Sequence, residues 1–122
     1  MSLYSWLKRA MIIYHNPSCS KSRQALQLCE ESGSEIEVIE YLKTPLDEAV
    51  IMDLLRKLAM KPHEVVRTKE EVYSQLELSV SSTEEEIIAA IIKYPVLLER
   101  PIVVKGDRAV IGRPPENVKV LF

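Results

Sequence analysis

The chain has no apolar run long enough to cross a bilayer. The longest, Ile87 to Ile92, falls far short of the roughly 20 residues a spanning helix needs, so no membrane role is expected. Its start does not read as a secretory leader, because Lys8 and Arg9 are followed by neither an apolar h-region nor a small-residue cleavage site. The expected location is therefore cytoplasmic. Nor is there an excess of one charge. Sixteen Lys and Arg against eighteen Asp and Glu leave a net charge of −2, which excludes a global field that would draw the protein to nucleic acid, and any anion site has to be local. Thiols and imidazoles are scarce too. Cys19, Cys29, His15 and His63 do not show the paired spacing of a zinc site, so no metal is expected. A helix carrying both cysteines would hold them about 15 Å apart, too far for a disulfide. Repeats, linkers and low-complexity tracts are absent as well, and 122 residues suffice for one domain, assigned to residues 11–122. Residues 1–10 are read as an N-terminal extension of uncertain role.

What is present reads as an α/β domain. Apolar residues make up 47% and charged residues 28%, ordinary proportions for a chain that folds unaided. Met11 to Tyr14 is a short strand ending at the turn residues Asn16 and Pro17. A helix over Lys21 to Glu31 carries Ala25, Leu26, Leu28 and Cys29 on one face and stops at Gly33. Ile36 to Leu42 predicts a second strand exposed on one side. Thr44-Pro45 is expected to open the next helix, with the stripe Val50, Ile51, Leu54, Leu55 and Leu58. Short helical pieces occupy 60–82. Ser82 and Glu85 are spaced as a capping box ahead of Ile87, Ile88, Ile91 and Ile92, a helical face ending before Pro95. Two strands flank Gly106-Asp107, a two-residue hairpin turn, and Pro114-Pro115 starts a short closing helix. The order is β-α-β, a helical insertion, then β-β-α.

The chemistry concentrates in His15-Asn16-Pro17-Ser18-Cys19-Ser20-Lys21-Ser22-Arg23, where strand end, turn and helix start coincide. A helix start offers unpaired N–H groups and about half a positive charge, both of which favour a thiolate over a thiol. Lys21, Arg23 and His15 add to that bias. The same N–H groups can cradle an external oxyanion, so nucleophile and substrate could share one site. Cys29, on the apolar stripe of its helix, reads as core. Ser22 completes Cys-x-x-Ser with Cys19, so the second thiol of a redox pair is missing and a reduction cycle begun by Cys19 needs an outside thiol to finish it.

The segments IYHNPSCSKSR, VVRTKEEVYSQL, ERPIVV and IGRPPENV, in this order, resemble the glutaredoxin-dependent arsenate reductase family, known as ArsC, from Met11 to Phe122. The resemblance implies a thioredoxin-like mixed sheet and reduction of arsenate to arsenite. Cys19 would be the nucleophile, His15 would keep it ionised, and Ser22 would donate a hydrogen bond to it. Arg67, Arg100 and Arg113 would clamp the oxyanion, as forked guanidinium donors suit tetrahedral anions. Pro101 would be cis, placing Arg100 beside Cys19. No cofactor would be bound; glutathione, with glutaredoxin as partner, would be the reductant, and the protein would act as a monomer. Where the best-known members follow the cysteine with Gly-Thr, this chain has Ser20-Lys21, and it stops soon after IGRPPENV. Both features resemble a sister subgroup, and Lys21 would strengthen anion capture or alter its selectivity.

Two rival readings share the fold. One is a thiol reductase acting on a glutathione mixed disulfide. The other is a regulator resembling the Spx type, which binds RNA polymerase under redox control. Those regulators commonly switch through Cys-x-x-Cys, and Ser22 occupies the second position here.

Overall fold

The computed structural model describes residues 11–122; the extension read over residues 1–10 lies outside the described residues. The backbone clusters into two compact units, one comprising residues 11–40 with Arg100–Phe122 and the other Tyr41–Glu99.

The first unit holds a four-stranded mixed sheet. Strands β1 (Met11–Tyr14) and β2 (Ile36–Ile39) run parallel, joined by helix α1 (Ser20–Glu31). β3 (Ile102–Lys105) lies antiparallel on the other side of β1, and β4 (Arg108–Ile111) antiparallel beyond it, giving the order β2-β1-β3-β4. Lys105 pairs with Arg108 across the two-residue loop, and Gly106 supplies the positive φ of 61° that the turn needs. Met11 and Ile13 from β1, Val103 from β3 and Ala25 and Cys29 from α1 form one core with Val118 and Leu121. The last two come from the closing 3-10 helix Pro115–Leu121, which packs on α1 and β4.

The second unit is helical. It contains α2 (Glu48–Leu58), α3 (Pro62–Val65), α4 (Glu71–Gln75), α5 (Glu84–Lys93) and a 3-10 turn at Pro95–Leu97. The stripe Ile51, Leu54, Leu55 and Leu58 is buried, as are Ile87, Ile88 and Ile91, and α2 and α5 pack together. No described helix is long and apolar enough to cross a membrane.

Three local readings differ from the sequence expectation. β2 ends at Ile39 rather than Leu42, because its partner β1 gives out: His15 N–H donates to Ile39 O at 2.8 Å, and Pro17 soon follows. α2 starts at Glu48 rather than at Thr44-Pro45, because the Asp47 carboxylate accepts from Val50 N–H at 2.9 Å. Leu46 before the cap and Ile51 in the first turn are both buried, as a hydrophobic staple requires. The capping box on α5 is Thr83 with Glu86, one residue beyond Ser82 with Glu85. Ser82 is spent on the preceding turn, its Oγ accepting from Ser79 N–H at 2.9 Å and its carbonyl bonded to the His63 ring.

Candidate active site

The site grows from the end of β1. Pro17 and Ser18 form a turn in which Asn16 Oδ1 accepts from Ser18 N–H at 3.0 Å and Asn16 O accepts from Cys19 N–H at 3.0 Å. Cys19 is thereby set as the residue before α1, with extended backbone (φ −98°, ψ 122°), and its carbonyl accepts the first helical bond from Arg23 N–H at 3.0 Å. Arg23 Nη1 also donates to Pro17 O at 2.8 Å, tying the turn to the helix. No oxygen-bearing side chain caps α1, since the residue at the cap is Cys19 itself. The unpaired N–H groups of the first turn are therefore available to a sulfur or an anion.

Opposing forces act on the Cys19 thiol. Burial is the largest and pushes its pKa up, but the N–H of Ser22, the Arg100 side chain, the N–H of Lys21 and the Arg100 charge pull it down and prevail. The net result is a pKa lowered from the ordinary cysteine value, which shifts the balance towards the thiolate. Arg113 adds a second guanidinium, its Nη1 standing 3.9 Å from Cys19 Sγ and donating to Arg100 O at 3.3 Å. Arg100 Nε and Nη1 are buried without a hydrogen-bond partner among the described residues. Such donors are costly unless a ligand satisfies them, and a tetrahedral oxyanion would do so. The Arg100–Pro101 bond is cis, as the resemblance implied, and Arg113–Pro114 is cis as well.

Beneath the sulfur lies a buried polar link. Ser22 is fully buried and His15 is 5% exposed, and a hydrogen bond of 2.6 Å joins His15 Nδ1 to Ser22 Oγ. The same Oγ accepts from Asn16 N–H at 3.1 Å. Burial is the main reason that the His15 pKa is lowered, with Glu40 and Glu30 opposing it and Arg23 assisting, so the imidazole is neutral at pH 7. Ser22 thus faces the sulfur with its backbone N–H while its hydroxyl serves His15 and Asn16.

Cys19, His15, Ser22, Arg100 and Arg113 all belong to the sheet unit, whereas Arg67 belongs to the helical unit. There its Nε donates to Glu70 at 3.2 Å and its Nη1 to Glu99 at 2.9 Å. Cys29 is fully buried and its thiol pKa is pushed up to about 11, chiefly by that burial. Two residues that the sequence reading did not single out complete the geometry. Gly112 leaves no room for a side chain, since a Cβ there would stand 2.9 Å from Pro101 Cγ. Asn117 bonds the backbone around Arg113.

A family model described as the ArsC family matches residues 14–121. The chain belongs to the ArsC family. Among ArsC relatives, an arsenate reductase of Neisseria meningitidis is 41% identical over 112 residues, covering 90% of this chain and 96% of the relative. The Escherichia coli protein YfgD, to which no function is assigned, is 53% identical over 108 residues, covering 87% and 91%. The solved structure of an arsenate reductase from Vibrio cholerae superposes with a TM-score of 0.88 at 39% identity, covering 92% of this chain and 97% of that one. The mixed sheet is accordingly the thioredoxin-like ArsC fold.

Proposed function

We propose that this protein reduces arsenate to arsenite in the cytoplasm through Cys19, with glutathione and glutaredoxin restoring the thiol. The single observation that carries the reading is the Cys19 sulfur at a helix start, its pKa lowered by two N–H groups and Arg100, beside buried Arg100 donors with no partner among the described residues. Relatives named arsenate reductase support the choice of oxyanion.

In the first step the Cys19 thiolate attacks arsenic(V), an S–As bond forms, an As–O bond breaks, and the departing arsenic-bound hydroxyl takes a proton from solvent and leaves as water. Arg100 and Arg113 stabilise the charge on the remaining oxygens. In the second step a glutathione thiolate attacks the Cys19 sulfur. An S–S bond forms, the S–As bond breaks, and its electron pair stays on arsenic, which departs as arsenite. A glutaredoxin thiolate then attacks the glutathione sulfur, an S–S bond to glutaredoxin forms as the bond to Cys19 breaks, the Cys19 thiolate returns, and a second glutathione releases glutathione disulfide from glutaredoxin. Cys29 cannot take the place of the glutaredoxin thiol, being buried and held protonated. Arg67 enters the reading through the family resemblance alone.

The test is a coupled assay of arsenate-dependent glutathione oxidation with glutaredoxin present, using wild type and Cys19→Ser side by side. Turnover in wild type and none in the variant is expected. Turnover that survives Cys19→Ser would overturn the reading. Turnover of a glutathione mixed disulfide with no response to arsenate would transfer the site to that substrate instead.

A further inference from the structure

Arg113 is exposed, and its guanidinium lies beside the sulfur only if the backbone beneath it is fixed. The local sequence makes that difficult. Arg113 follows the last residue of β4 by two and is followed by Pro114 and Pro115. Neither proline has an N–H, so Ile111 O finds no donor three or four residues ahead, where a turn or helix would normally supply one. A turn of this composition lacks its own closing hydrogen bond.

The missing donor comes from a side chain. Asn117 Nδ2 donates to Ile111 O at 3.4 Å and to Arg113 O at 3.2 Å, so its two amide hydrogens bracket the Gly112-Arg113 dipeptide. Asn117 is itself fixed, its N–H donating to Pro114 O at 3.0 Å. On the opposite side Gly112 N–H donates to Pro101 O at 2.9 Å, which joins the same dipeptide to the segment carrying Arg100. Arg113 Nη1 closes the loop on Arg100 O at 3.3 Å. We propose that Asn117 is a positioning residue that holds Arg113 over Cys19 and thereby sets the affinity of the site for a tetrahedral oxyanion.

This rests on the oxyanion reading given above. Asn117 touches neither the sulfur nor the anion, and it acts through Arg113. The groups that lower the Cys19 pKa are the N–H donors of α1 and Arg100, not Asn117. Loss of the amide should therefore weaken anion binding and leave the thiolate titration where it was. A merely structural role would move neither.

The experiment uses inorganic phosphate as an unreactive oxyanion and measures how it protects Cys19 from iodoacetamide in wild type, Asn117→Ala, Arg113→Ala and the double variant. Asn117→Ala should weaken protection about fivefold, the equivalent of one hydrogen bond's worth of positioning. In the Arg113→Ala background the same change should have no further effect, because the residue it acts through is gone. The ultraviolet titration of Cys19 should be the same in wild type and Asn117→Ala. Protection by phosphate in Asn117→Ala equal to wild type, or an equal further loss in the Arg113→Ala background, would overturn the proposal. Absence of any protection in wild type would remove the oxyanion site itself, and the proposal with it.

Discussion

Gly112→Ala is the substitution on which the geometry bears hardest. A Cβ at this position would lie 2.9 Å from Pro101 Cγ, 3.2 Å from Ala25 Cβ and 3.2 Å from Val118 Cγ1. None of these is the end of a flexible side chain. One is a proline ring, one sits on α1, and one is a fully buried valine of the closing helix. Overpacking of this kind costs about 1–3 kcal/mol, and three stiff neighbours argue for the upper part of that range. Reduced entropy of the unfolded chain offsets about 0.5–1 kcal/mol, leaving a net loss of about 2 kcal/mol. An unfolding entropy of about 2.1 cal/mol/K per residue makes each kcal/mol worth about 4 °C in a chain of 122 residues, so Tm should fall by about 8 °C. The assay is thermal unfolding followed by far-ultraviolet circular dichroism. A Tm equal to that of wild type would refute the packing argument. A Tm that falls while arsenate KM stays fixed would show instead that relief of the clash does not reach Arg100, the residue before Pro101.

Arg100→Met removes both a donor to the Cys19 sulfur and a charge, so the thiolate absorbance of Cys19 at 240 nm should appear at higher pH than in wild type, whereas an unchanged midpoint would exclude Arg100 as a cause. Because the folded Cys19 pKa is depressed, its contribution to stability is fully present above the unfolded pKa and is lost as pH falls through the folded value; Cys19→Ser should flatten that part of a urea-denaturation profile. His15 also has a depressed folded pKa, so stability should decline as pH drops below about 6.5, and His15→Gln should remove the decline. Cys29 has the opposite sign: its folded pKa of about 11 means that stability is intact below the unfolded pKa and is lost on the way up to about 11, and Cys29→Ala should abolish this alkaline loss. Ser22→Ala leaves His15 Nδ1 and Asn16 N–H without their shared buried partner and should cost about 2 kcal/mol in denaturant unfolding.

Hydrophobic period and turn chemistry carried most of the fold. Met11–Tyr14, the Ala25 and Cys29 face, the Gly106-Asp107 hairpin and the isoleucine face of α5 can each be read from a few consecutive residues, because each is decided locally. The starts of α2 and α5 could not be fixed in the same way. Thr44 and Asp47, or Ser82 and Thr83, are all capable caps, and the choice depends on distant facts: where Leu46 is buried, and that Ser82 already serves Ser79 and His63. The end of β2 likewise depends on where its partner strand stops.

At the site, Cys19 was legible because strand end and helix start adjoin in sequence. Arg100 and Arg113 were legible only through family resemblance, since their approach to the sulfur is made by the β3–β4 hairpin and the turn beyond it. The seven-residue span between His15 and Ser22 gives no periodic signal. Asn117 left a fainter trace: two successive prolines remove the donors that Ile111 O would use, and an amide side chain just downstream is a natural replacement.

The burial of Cys29 inside the same helix that begins at Cys19 gives the molecule an internal gauge of its own opening. One sulfur reports on the native surface and the other is silent until α1 lifts from the sheet. The lag between the first and second equivalents of a chromogenic thiol reagent therefore measures how often that helix detaches, without any probe having to be engineered in.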